Sequence, residues 1–286
     1  MNSPDYHPVM KRLAKQTFTE TFHAIQKEHE EYIHSNGNTT FNKRVLIIAV
    51  TVCFSLACIE YVGKNDGYFL ILKFIRYIGF AETSDRLKFL IIHETNQQLF
   101  SLGYWVFTIF VFYFLIPAII IKFIFRERLH DYGLYGGKVF RERKIFTLFL
   151  IIMIPLVLIF STTESFQLRY PFYHLQTNEP LWPSFFIWQL LYFFQFIALE
   201  FFFRGFMVHG LKKQFGYYSV FIMTIPYCMI HFGKPFPETM AAIIAGIILG
   251  TLSLKSRSIW MGVAIHYAVA LSMDLSALWQ KGFWSH

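Results

Sequence analysis

Six residues in the C-terminal half carry ionisable groups inside otherwise apolar sequence: Glu200, Arg204, His231, Glu238, His266 and Asp274. Glu200 and Arg204 stand one helical turn apart in FFIWQLLYFFQFIALEFFFRGFMVHGL, so they share a helix face. His231 closes an apolar run in PYCMIHFGKPFPET, where Gly233, Pro235 and Pro237 interrupt the helix and Lys234 and Glu238 follow. His266 lies in SIWMGVAIHYAVALSMDLSALW, and Asp274 is two turns further along the same face. Charges at membrane depth are costly, so each marks either a structural ion pair or a functional site. A carboxylate with two imidazoles suits hydrolysis: one group deprotonates water, another orients it or donates to the oxyanion, and Arg204 holds Glu200 in place. The same set is open to zinc, with His231, His266 and Glu200 or Asp274 as ligands and water in the fourth position. No helix carries HExxH.

The elements that must position these groups are membrane spans. Hydrophobic residues make up 55% of the chain, aromatic ones 20% and charged ones only 15%, a composition wrong for a soluble domain of 286 residues. The spacing predicts an all-α, polytopic transmembrane helix bundle of about seven spans, within a range of six to eight. The spans are expected over 45–62, 98–125, 145–160, 182–206, 218–231, 239–254 and 258–279. The fifth and sixth are short for ~30 Å of hydrocarbon, so the segment between them is expected to dip into the interior and keep His231, Lys234 and Glu238 near the midplane. Residues 1–44 read as a cytosolic N-terminal segment with a solvated surface helix, and 45–286 as a single transmembrane domain. YFLILKFIRYIGF, with Lys73 and Arg76 among apolar residues, reads as an interfacial helix, with an eighth span as the alternative.

The net charge of +8 is spread over loops, notably RERLHDYGLYGGKVFRERK at 126–144, rather than gathered into one patch. That pattern fits the positive-inside rule with a cytosolic N-terminus and no nucleic-acid partner. Cys53, Cys58 and Cys228 sit in apolar stretches without CxxC spacing and read as packing thiols.

The order of LEFFFRG (Leu199 to Gly205), YCMIH (Tyr227 to His231) and the region beginning at His266 resembles the CPBP intramembrane proteases, which include type 2 CAAX prenyl proteases, bacteriocin-processing proteins and Abi proteins. The resemblance covers 182–280. It implies an intramembrane endopeptidase acting on membrane-associated proteins or peptides, with membrane lipid and such substrates as partners. Glu200, His231 and His266 are the implied catalytic residues, with Arg204, Asp274 and Glu238 in support. Two positions depart from the family pattern. Its first motif is Glu-Glu-x-x-x-Arg, and Leu199 replaces the first Glu; its third often has Asn four residues after the His, and Ala270 stands there. In the family the first Glu and the two His are thought to activate water, while the second Glu pairs with the Arg.

The base is therefore open between Glu200, Glu238 and Asp274, and the cofactor between none and zinc. The competing readings are a non-catalytic relative acting as a membrane scaffold or assembly factor, and an ion-coupled transporter, which also uses broken spans and midplane charges.

Overall fold

The computed structural model describes residues 7–36, 42–63, 67–92, 97–136, 143–175 and 179–283, and among these it is helical, without a strand. Two N-terminal helices, α1 (His7–Ala14) and α2 (Glu20–Asn36), are joined by a π-helical turn. The first long apolar helix is α3 (Lys43–Gly63). Asn42 caps it, its side chain accepting from the backbone N–H of Arg44 and Val45. A hairpin of α4 (Tyr68–Tyr77) and α5 (Ala81–Ile92) follows, turning at Gly79 with φ of 99°. Next come α6 (Gln97–Ile124), α7 (Arg143–Phe160), the short α8 (Glu164–Arg169) and α9 (Ser184–Phe215). The chain ends in α10 (Tyr218–Met229), α11 (Phe236–Ser256) and α12 (Trp260–Gln280).

Five of these helices are long and apolar enough to cross a membrane: α3, α6, α9, α11 and α12. The other two predicted spans correspond to the shorter apolar helices α7 and α10. The predicted 16-residue sixth span is corrected: α11 has 21 residues, because Pro235 caps it and Phe236–Pro237 form its first turn, where proline's missing N–H costs nothing. Of the fifth and sixth predicted spans, only the fifth, α10 with 12 residues, is short. The segment read as an interfacial helix, residues 68–80, is α4 with its turn; it pairs with α5, and Tyr68, Leu72 and Ile91 form a small core of their own. Of the basic segment 126–144, residues 137–142 lie outside the described residues.

The outside of the bundle is greasy. Val50, Phe54, Phe107, Phe123, Ile151, Ile159, Leu190, Ile225 and Ile244 are all more than 40% exposed, an arrangement suited to lipid rather than water. The centre is α9. Its second half, Phe201–His209, widens into a π-helix in which every residue is buried, against α6 on one side and α10 and α11 on the other.

Close approach of α10 and α11 depends on Gly246 and Gly250, spaced as in a GxxxG motif. A Cβ on Gly250 would stand 2.8 Å from Val220 Cγ1, and one on Gly246 would stand 3.0 Å from Thr224 and 3.2 Å from the Tyr227 ring. Small residues at that seam thus bring Tyr227 to its place.

The end of the bundle that carries Lys212, Lys213 and Lys255 is tied to the N-terminal segment. Ile25 is buried in the main core, Lys212 Nζ lies 3.2 Å from Glu28, and His29 Nδ1 lies 2.9 Å from the Lys213 carbonyl. The helix expected to be simply solvated therefore has an inner face, with Thr17 and Thr21 also buried. Beside it Arg44 holds Glu127 in a bidentate pair at 2.8 Å for each bond, and the Tyr132 hydroxyl donates to the same carboxylate at 2.5 Å. Burial alone would raise the Glu127 carboxyl, but the bonds from Arg44 and Tyr132 outweigh it and hold the group below its ordinary range.

Candidate active site

Glu200 sits midway along α9 and is fully buried, as is Arg204 one turn on. Arg204 Nη1 lies 2.9 Å from Glu200 Oε1, and His266 Nδ1 lies 2.6 Å from the same oxygen. The match in depth read from the register is thus a direct contact between α9 and α12. Gly262 permits it: a Cβ there would run into the Glu200 carboxylate.

The pairings constrain the imidazoles. A lone pair facing a carboxylate at 2.6 Å is repulsive, so Nδ1 of His266 carries the proton and Nε2 is the acceptor. The Tyr227 hydroxyl meets that Nε2 at 2.7 Å and donates to it. The ring of Tyr227 also takes the Arg204 guanidinium on its face, at 4.2 Å. Its carbonyl accepts from Nδ1 of His231 at 2.8 Å, which leaves His231 Nε2 with an open lone pair. The Thr239 hydroxyl donates to the His231 carbonyl at 2.8 Å, fixing the turn between α10 and α11. Tyr227 is therefore the residue through which the two histidines are joined. Its place in YCMIH was visible in the sequence; its role as the link was not.

His231, His266 and Tyr227 line a cavity of about 980 Å³, walled mainly by apolar side chains of α3, α6, α7, α9, α11 and α12. Leu199 lines it too, whereas Glu200 and Arg204 stand behind the wall and do not. Glu238 reaches the cavity from the first turn of α11. Both its oxygens are engaged: Oε1 with Lys234 Nζ at 2.6 Å and Oε2 with the Tyr170 hydroxyl at 2.9 Å.

Asp274 is not brought to the histidines. It accepts from the Phe172 backbone N–H at 2.8 Å, from Gln189 Nε2 at 2.8 Å and from Trp188 Nε1 at 3.2 Å, and it is fully buried. These bonds tie the loop after α8 to α9 and α12. Lys281 Nζ adds a bond to the Tyr170 carbonyl at 2.7 Å. From that loop a ladder of rings descends to the site: Phe172, Trp105 and Trp188 pack against one another, then Trp188, Tyr192 and Phe196 follow at successive turns of α9, and Phe196 stacks on His266 at 5.4 Å. The spacing of 188, 192 and 196 is a signal the sequence did carry.

Among the described residues no group of three His, Cys, Asp or Glu side chains is placed to hold a metal ion. Glu200 is enclosed by Arg204 and His266, and His266 Nε2 is taken by the Tyr227 hydroxyl, which leaves His231 Nε2 as the one open imidazole nitrogen of the set. The zinc set suggested by the residue types does not fit this geometry.

Fold and site together define an integral membrane protein of bundled helices, in which a buried Glu–Arg pair backs two histidines at an apolar cavity. Residues 180–272 match the family model described as Type II CAAX prenyl endopeptidase Rce1-like, so the resemblance carried by the three motifs is borne out over that segment. That family is one of membrane proteases. No curated protein and no solved structure matches the chain.

Proposed function

We propose that the chain is an intramembrane endopeptidase that cleaves membrane-associated proteins or peptides by water activated at the histidine pair. The observation that carries this reading is the orientation of His231: its Nδ1 is committed to the Tyr227 carbonyl, so its Nε2 is free to act as a base on a water in the cavity. In the reaction His231 Nε2 takes a proton as the water oxygen bonds to the scissile carbonyl carbon. It returns that proton to the departing amine nitrogen as the C–N bond breaks. Glu200 acts from behind, holding the His266 ring and, through the Tyr227 hydroxyl, the residue that fixes the His231 tautomer. Arg204 balances the Glu200 charge. Glu238 and Lys234 hold one edge of the cavity with Tyr170, and Asp274 anchors the loop above it. The basic end of the bundle, with Lys212, Lys213 and Lys255, faces the cytosol by the positive-inside rule.

A non-catalytic relative, acting as a scaffold, is favoured by one observation: Leu199 presents an apolar chain to the cavity where the family places a carboxylate. The two readings separate in reconstituted bilayers containing a fluorogenic peptide that ends in a prenylated CAAX box, alongside an unprenylated membrane-anchored control. Cleavage by wild type that falls by roughly 10²–10⁴-fold in His231→Ala supports the protease. Folded wild type that cleaves neither peptide, or a folded His231→Ala that cleaves as well as wild type, overturns it.

A further inference from the structure

Hydrolysis of a peptide bond needs a donor aimed at the carbonyl oxygen as charge develops there. Most of the polar donors near the histidines are already committed. The Tyr227 hydroxyl serves His266 Nε2, the Tyr170 hydroxyl serves Glu238, and Lys234 is paired with Glu238 at 2.6 Å. Position 270, one turn beyond His266 on the cavity wall, is an alanine and supplies nothing.

Gln195 is different. It lies on the face of α9 formed by Tyr192, Gln195, Phe196 and Leu199, all of which line the cavity. It is next to Phe196, the ring that stacks on His266. The residue is only 4% exposed, and its Oε1 is buried without a hydrogen-bond partner. Gln189 on the same helix shares the unpartnered Oε1, but its Nε2 donates to Asp274, whereas the Gln195 Nε2 has no protein partner among the described residues. A primary carboxamide buried in an apolar wall without a partner is costly, and its Nε2–H is a donor of the kind a developing oxyanion needs.

We infer that Gln195 is a catalytic residue of the proposed hydrolysis: its Nε2–H donates to the scissile carbonyl oxygen as that oxygen becomes negative. The inference rests on the protease reading, and its test includes an arm that reports on that reading alone.

The experiment measures kcat, KM and melting temperature for wild type, His231→Ala, Gln195→Leu and Gln195→Glu in nanodiscs with the prenylated fluorogenic peptide. Gln195→Leu should lose on the order of 10²-fold in kcat, with KM little changed and the melting temperature no lower than that of wild type. Gln195→Glu, assayed at alkaline pH where its carboxyl is ionised, keeps the size and the acceptor but not the donor, so it should lose at least as much there. Wild-type kcat in either variant overturns the inference while His231→Ala still reports the protease. A loss in Gln195→Leu that tracks a lowered melting temperature and vanishes per folded molecule also overturns it, since the role would then be packing. Wild type without cleavage overturns the protease reading and the inference with it.

Discussion

At the scale of single residues, the site turns on Tyr227, which touches Arg204 with its ring, His266 with its hydroxyl and His231 with its carbonyl. Tyr227→Phe removes one of these contacts and keeps the other two. The ring is fully buried, so the variant should fold normally. His266 Nε2 then loses its donor and its hold on the cavity wall. Cleavage should fall by about 10–100-fold with the melting temperature within a few degrees of wild type, at the lower edge of what a positioned proton-transfer group contributes. Unchanged cleavage would show that the hydroxyl has no part in ordering the histidines. Gly262 is subject to an opposite constraint: a single added carbon meets the Glu200 carboxylate, so the contact between α9 and α12 tolerates no side chain there.

At the scale of elements, Asp274 separates two roles that its sequence position leaves mixed. Its three donors come from the loop after α8 and from α9, so it tethers that loop to the bundle. Asp274→Ala leaves three N–H donors without their acceptor and should cost roughly 1–3 kcal/mol for each one left buried and unpaired. Hydrogen exchange of 166–175 should rise in parallel. A base would behave otherwise: activity would vanish with stability and exchange unchanged.

The same residue shows what was legible beforehand. Period and length located the spans within a few residues, except that α9 runs on to Phe215 where an end at 206 is expected, and the register of Glu200 and His266 foretold a shared depth that is now a 2.6 Å contact. The register of Asp274 was equally correct along α12, yet it could not say which neighbour would face it, because that depends on where the loop carrying Phe172 folds back. Helix periodicity reports a face but not its partner. For the same reason the free carboxamide of Gln195 was hidden among apolar residues, and the inner face of α2 passed for a solvated one.

A second element-scale tie is open to acid. Glu127, held below its ordinary range by Arg44 and Tyr132, joins the start of α3 to the segment after α6. Because its folded value is depressed, the stability it contributes is complete above the unfolded carboxylate value near 4.3 and is lost as pH falls through the lower folded one. Thermal melts should therefore show wild type losing more stability than Glu127→Gln between about pH 5 and the acid limit, and the two curves converging at the acid end. Parallel curves would mean the pair adds nothing.

At the scale of the molecule, a greasy exterior encloses one polar site, and its lipid-facing sides are of unequal height. Helix α10 turns Tyr218, Phe221, Ile225 and Met229 outward. Its 12 residues rise only about 18 Å at 1.5 Å each, well short of the ~30 Å of an ordinary hydrocarbon layer. Its neighbour α11 spans about 32 Å on the same count from its 21 residues. The bilayer must therefore thin beside α10 and relax again around the rest of the bundle, a deformation that costs more as the acyl chains lengthen. Melting temperature and peptide cleavage should both be higher in dimyristoyl than in long-chain eicosenoyl lipid, and equal values in the two would show that the edge of α10 is covered by something other than lipid. The same mismatch makes bilayer thickness a selector, since the bundle would be most stable where the hydrocarbon layer is thinnest beside α10.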